Sequence, residues 1–185
     1  MKSWLLAPLL FLLVACAGPV PKAGESSYNQ GVEAWRAKNY AEARVQWSRS
    51  LAEGGPDEAL NNLGYLLYHG LGGGAQPAKA VELWRKGAAL GVSEAQWHLG
   101  AAYEEGKGVA ASLVQAFAWY LCASATASQA NEDSKTERAV ANDAVRSAGR
   151  LAPRLTASEM AQAEALAGQL IAKYSVRLST DAARN

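Results

Sequence analysis

Between residues 57 and 125 apolar side chains recur at helical spacing, give way to glycine, and recur again. Ala59, Leu60, Leu63, Leu66 and Leu67 fall on one side of a helix, and Gly70, Gly72, Gly73 and Gly74 then break it. Ala80, Val81, Trp84 and Ala88 mark one side of a second helix, near residues 77–90. The pattern returns 36 positions on: Ala95, Leu99, Ala102 and Tyr103, then Gly106 and Gly108, then Leu113, Ala116, Phe117, Tyr120 and Ser124. Register is kept residue by residue, since Leu63, Gly64, Gly70, Gly72, Ala80 and Trp84 correspond to Leu99, Gly100, Gly106, Gly108, Ala116 and Tyr120. Self-similarity at a period of about 20 to 50 residues marks a solenoid, whose units bury their apolar faces only against their neighbours. The expected fold is all-α, an α-solenoid of antiparallel helix hairpins. Gly64 falls where a side chain would hold the facing helix away.

The flanks extend this pattern. Residues 27–54 read as a further hairpin, with Gly31, Ala34, Tyr40, Ala43 and Trp47 in register and a tight turn around Lys38 and Asn39. Gly54, Gly55 and Pro56 break the chain, and Asp57 stands where it can cap the next helix. After Ala125 the glycines lose register. Residues 131–152 read as a polar helix with Val140, Ala144, Val145, Ala148 and Leu151 on its apolar side, ended by Pro153. Thr156 and Glu159 have capping-box spacing, with Leu155 and Met160 placed as a hydrophobic staple. The helix so begun turns Met160, Ala163, Ala167, Leu170, Ile171 and Tyr174 inward. These two helices, 131–178, form the C-terminal cap that a solenoid needs, and 179–185 is expected to be a disordered tail.

The repeated segments resemble the Sel-one-like repeat (SLR), a relative of the tetratricopeptide repeat with a consensus near LGxxYxxGxGV followed by KAxxWYxKAA. Here it reads LGYLLYHGLGGG with KAVELWRKGAA, then LGAAYEEGKGV with QAFAWYLCASA. Leu67 stands in place of a tyrosine and Gln115 in place of a lysine, neither of which disturbs the helical pattern. The 27–54 hairpin is spaced more like a tetratricopeptide unit. LTASEMAQAEALA resembles the LTPEQ-type helix that closes bacterial SLR arrays, with Ala157 in place of proline. The resemblance implies a tetratricopeptide-like α/α superhelix with repeats at about 27–54, 57–91 and 93–127.

The N-terminus adds a location. Lys2 precedes an apolar run from Trp4 to Ala15, too short for a spanning helix and suited to a secretory signal over residues 1–15. Leu13, Val14, Ala15 and Cys16 resemble the cleavage box of a bacterial lipoprotein signal, which implies lipid on Cys16. Ala17 is not the aspartate that retains such proteins in the inner membrane, so the resemblance implies the outer membrane, with the domain facing the periplasm. An ordinary cleaved signal and a short uncleaved anchor are the alternatives. Residues 16–26, containing Gly18, Pro19, Pro21 and Gly24, read as a flexible tether.

Charge removes one class of partner. The formal net charge is +1, with 18 Lys and Arg against 17 Asp and Glu. A balanced chain of this kind offers no electrostatic case for nucleic acid. With Cys16 acylated, Cys122 is left without a disulfide partner, and its place on an apolar helix face marks it as a buried, inert thiol. His69 and His98 have no cysteine or carboxylate at metal-ligand spacing and read as surface or partly packed residues. Glu104 and Glu105 are adjacent and diverge on a helix, which suits a solvated face better than an acid/base pair. The glycines at 70–74 lack the following Lys-Ser/Thr of a phosphate loop. No catalytic residue, metal or cofactor is expected.

What remains is a binding surface. The first helix of each tetratricopeptide-like hairpin lines the concave face. With Gly31, Gly64 and Gly100 aligned, its outward positions are Tyr28, Val32, Trp35 and Arg36; Asn61, Tyr65, Tyr68 and His69; and Trp97, Ala101, Glu104 and Glu105. Tyr28, Trp35, Tyr65, Tyr68 and Trp97 need not be aromatic to make the fold, and such side chains are enriched at binding hot spots. The competing reading packs Trp35 and Trp97 beneath a neighbouring unit or the cap. The expectation is a non-enzymatic protein-interaction scaffold of the bacterial envelope that takes an envelope protein or peptide in its groove; the alternative is a glycan-binding accessory for peptidoglycan or exopolysaccharide.

Overall fold

The computed structural model describes residues 23–130 and 134–182. Its elements are α1 (Glu25–Arg36), α2 (Tyr40–Ala52), α3 (Glu58–His69), α4 (Pro77–Ala89), α5 (Ser93–Glu105), α6 (Leu113–Gln129), α7 (Lys135–Leu151), a short 3-10 turn (Ala152–Arg154) and α8 (Ala157–Ala182). No strand occurs among the described residues. Helices α1/α2, α3/α4 and α5/α6 pair as successive hairpins, each packed on the next, so the chain is an all-helical solenoid. The lipidation site proposed at Cys16 lies outside the described residues.

One packing device is used three times. A Cβ on Gly31 would lie 2.4 Å from the Trp47 ring, one on Gly64 2.5 Å from the Trp84 ring, and one on Gly100 2.8 Å from the Tyr120 ring. Only a residue without a side chain lets each aromatic ring lie flat on its partner helix. Those rings are 3%, 1% and 1% exposed, so the period visible in the sequence is the period of the core. In the two glycine loops the repeat also grips the unit before it. Gly72 sits against the backbone of Tyr40 and Ala41, and Gly108 against that of Pro77 and Ala78, at φ 72° and 81°. The 70–74 loop faces a cation: Arg44 donates to the carbonyls of Leu66 (3.3 Å) and Gly74 (3.0 Å). It is therefore unlike a phosphate cradle, which turns N–H groups inward.

The C-terminal part is packed differently. Helix α6 lies against α5, α7 and α8 together, and Ala116 to Tyr120, Cys122, Ala123, Thr126 and Ala127 are all buried. The one-sided face expected from its spacing is too narrow: a helix enclosed by three others is buried almost all round. Cys122 is a free, fully buried thiol pushed up to about 11 by burial. Helix α7 buries Val140, Ala144, Ala148 and Leu151, but Val145 is 57% exposed, a correction to the apolar side assigned to it. The capping box closes as expected, with Glu159 accepting from the Thr156 amide at 2.9 Å and Thr156 Oγ1 accepting from the Glu159 amide at 3.3 Å. Leu155 and Met160 share one apolar cluster beside it.

Three further boundaries differ from expectation. Asp57 makes no side-chain cap bond, because its own backbone is already helical at φ −64° and its carboxylate cannot reach back to the first amides. The packed domain includes residues before 27: Gly24 is buried against Ser50 and Gly55, and Ser50 Oγ donates to its carbonyl at 2.9 Å, so Gly24 caps α1 and residues 25–26 lie within it rather than in a tether. At the other end α8 remains helical through 179–182, where a disordered tail is expected.

Candidate binding groove

The first helices of the hairpins lie side by side, α1, α3 and α5, and α7 stands across from them. Between them is a cavity of about 710 Å³. Its wall carries Tyr28, Val32 and Trp35 from α1, Asn61, Asn62 and Tyr65 from α3, and Trp97 and His98 from α5, with Trp47 of α2 behind. Helix α7 closes it with Thr136, Ala139, Val140 and Asp143. Glu58 and Glu94 line the wall from the first turns of α3 and α5.

Of the residues nominated from sequence, Tyr28, Trp35, Asn61, Tyr65 and Trp97 meet at this cavity. The other five lie outside its lining, for definite reasons. Arg36 is exposed and pairs with Glu33 at 2.9 Å. Tyr68 is 3% exposed, packs on Trp84 with ring centroids 4.9 Å apart, and donates to Glu105 at 2.7 Å. His69 is an exposed ring against Tyr65 and Tyr68. Glu104 accepts from Tyr120 (2.8 Å), Arg150 (3.0 Å) and Arg154 (3.4 Å), which ties α5 to the cap. Tyr68, Glu104 and Glu105, in the last turns of α3 and α5, thus serve the fold, whereas in α1 Trp35 reaches the groove from the last turn.

The aromatic wall is braced. Trp35 meets Tyr65 edge-on at 5.6 Å and Trp47 at 6.1 Å. Tyr65 meets His98 edge-on at 5.6 Å, and His98 stacks on Trp84 at 4.9 Å. Trp97 satisfies part of each reading of its role, since Nε1 donates to Ser147 of α7 at 3.4 Å while the ring still lines the cavity. Rings held by other rings have few torsions left to freeze when a ligand arrives.

The polar groups were not all visible beforehand. His98 Nδ1 lies 2.9 Å from the Glu94 carbonyl, which can only accept, so the proton sits on Nδ1. Burial lowers its pKa to about 4, leaving the ring neutral and Nε2 an acceptor. Asn61, 4% exposed, donates through Nδ2 to Glu94 Oε2 at 2.8 Å, while its Oδ1 has no partner. Burial, with Glu137 and Glu58 nearby, holds the Glu94 carboxyl above its ordinary range. Glu58, Asn62, Glu94 and Asp143 escaped sequence reasoning; the recurrence of an acid at 58 and 94, the same 36-residue offset, is the signal that could have found two of them. Among the described residues no group of three His, Cys, Asp or Glu is placed to hold a metal ion, and no helix is long and apolar enough to cross a membrane.

Comparison with known proteins agrees with this geometry. The Sel1 repeat model matches residues 57–92 and 93–125. The structure is similar to c5321, a protective antigen of uropathogenic Escherichia coli described as displaying an SLR fold, with a TM-score of 0.70 and 29% identity over 83% of this chain and 31% of that one. It is also similar to a Sel1 repeat protein from Oxalobacter formigenes, with a TM-score of 0.49 and 33% identity over 52% of this chain and 40% of that one. The chain thus spans less than half the length of either. No curated protein matches it in sequence. The chain therefore contains two consecutive Sel1 repeats, set within an all-helical solenoid of the SLR type.

Proposed function

We propose that the protein is a non-enzymatic scaffold that holds an extended segment of a partner protein in the groove between α1, α3, α5 and α7. It presents that groove from the periplasmic side of the bacterial outer membrane, through lipid on Cys16. The observation that carries the reading is the cavity itself, walled by aromatic rings that the repeat does not require and that neighbouring rings hold in place. Sel1 repeats are commonly interaction scaffolds, which supports a protein partner in general. A photo-crosslinking residue at Thr136, inside the groove, is expected to yield a discrete protein adduct in intact envelopes. The same residue at the exposed Val45 on α2 is expected to yield none. Ala139→Trp, which fills the groove from α7, should abolish the adduct. Equal adducts from both positions, or a glycan adduct at Thr136, would overturn the reading. Attachment is separately tested by Cys16→Ser, which should move the chain from the membrane to the soluble fraction; retention in the membrane would sink the lipid anchor.

A further inference from the structure

The groove is chemically one-sided. Its lining residues include Glu58, Glu94 and Asp143 and no lysine or arginine. Asp143 is paired with Arg146 on its own helix, but Glu58 and Glu94 have no ion-pair partner among the described residues. Two neutral polar groups add acceptors. Asn61 Oδ1 is a buried acceptor without a donor. His98 has committed its proton to a carbonyl and keeps only an acceptor. The Asn62 amide is already engaged, its Nδ2 on Tyr28 and its Oδ1 with Asn61. The Trp97 N–H is committed to Ser147. Donors remain, in the Tyr28, Tyr65 and Thr136 hydroxyls and the unpartnered Nε1 of Trp47, so what is one-sided is the charge: three carboxylates line the site and no cation does.

That inventory selects among ligands. A phosphate or carboxylate ligand brings only acceptors, and a sugar hydroxyl is as much acceptor as donor. A guanidinium or ammonium group brings only donors. It also brings a positive charge, which carboxylates attract and which the faces of Trp and Tyr rings favour within about 6 Å. We propose that the groove receives an arginine or lysine side chain carried on an extended peptide segment of the partner. This rests on the groove being a peptide site and adds what that site selects. The acids at 58 and 94 head equivalent turns of α3 and α5 and face one cavity, so a single cation placed between them relieves both. The raised pKa of Glu94 is consistent with a carboxylate that lacks such a partner in the free protein.

The test uses capped hexapeptide pools, randomised except for one central residue fixed as Arg, Lys, Gln or Glu, passed over the immobilised full chain. A tetramer of N-acetylglucosamine serves as the glycan probe. The Arg and Lys pools should be retained about tenfold or more over the Gln and Glu pools, a ratio corresponding to about 1.4 kcal/mol. Glu94→Gln and Glu58→Gln, with melting curves like that of the parent, should each remove most of that preference. Ala139→Trp should remove retention altogether. If peptides are retained and Ala139→Trp releases them, but the Gln or Glu pools do as well as the basic ones, the cation proposal falls and the peptide groove stands. Retention of the sugar alone, of no probe, or of peptides indifferent to Ala139→Trp overturns both.

Discussion

The two ends of α5 treat their carboxylates in opposite ways. Glu94, in the first turn, sits among Glu58 and Glu137 with one amide donor from Asn61. Glu104, in the last turn, receives Tyr120, Arg150 and Arg154. The helix dipole alone forecasts the reverse, since it favours an anion at the N-terminus and disfavours one at the C-terminus. Tertiary neighbours override a dipole effect worth about 0.3 to 1 kcal/mol. The contrast separates two jobs within one helix: its C-terminal end is finished and fastens the cap, while its N-terminal end is left unsatisfied on a cavity.

The most drastic way to break the contrast is to remove what supports both ends. Trp84 backs the groove through its stack on His98, packs on Tyr68, and donates through Nε1 to the Asn61 carbonyl at 3.3 Å. Trp84→Ala should cost about 3 to 5 kcal/mol, as for other buried aromatics, and lower the melting temperature accordingly. A melting curve unchanged from the parent would show that the ring is not the keystone its 1% exposure indicates.

A smaller effect should come from the finished end. Glu104→Ala leaves the O–H of Tyr120, a ring 1% exposed, without its acceptor, and is expected to cost about 2 kcal/mol by denaturant unfolding, in the range for a hydrogen bond to a charged group. Arg150→Ala should cost well under 1 kcal/mol, because the arginine is 58% exposed and water screens the pair. If the two substitutions were equally costly, the ion pair rather than the phenol bond would be the fastener.

How much of this was written legibly in the chain follows from the same contrast. The hairpins were readable because Gly64 under Trp84 and Gly100 under Tyr120 are local pairings that repeat at a fixed offset. The groove was half readable. The outward positions Tyr28, Trp35, Asn61, Tyr65 and Trp97 follow from helical phase, but phase does not say where along a helix a neighbour arrives. Tyr120, from the second helix of the same hairpin, claims Glu104, and Tyr68, from the hairpin before it, claims Glu105, which takes both acids out of the lining. Helix α7 contributes Thr136 and Asp143, whose polarity announces solvent rather than a wall, and Ala139, too small to announce either. Small residues hide part of α6 as well: Ala118 and Ala123 carry little pattern, yet three neighbours bury them completely, as they do the Cys122 that the sequence already places on an apolar face.

The smallest expected change is the one that sharpens the comparison most, because its sign is unusual. Glu94→Gln keeps an acceptor for Asn61 and removes a charge that burial, Glu137 and Glu58 oppose. At neutral pH the variant should melt at the same temperature as the parent or slightly above it. The sign follows from linkage: a carboxyl whose pKa is raised by folding destabilises the fold while ionised, and the penalty disappears as pH falls through the raised value. The parent should therefore close the gap on acidification, and the two curves should meet once the pH is below the ordinary carboxylate range. The groups facing Glu94 are Glu58 on α3, Glu137 on α7, Tyr28 on α1 and His98 one turn along its own helix. His98 works in the opposite direction, since its pKa falls from 6.5 to about 4 on folding and stability is lost between those values as the unfolded chain takes up the proton. Both proteins carry His98, so the difference between their melting temperatures isolates Glu94. A gap that is negative at neutral pH, or that widens on acidification, would mean that Glu94 is as well satisfied as Glu104, and the two ends of α5 would no longer differ.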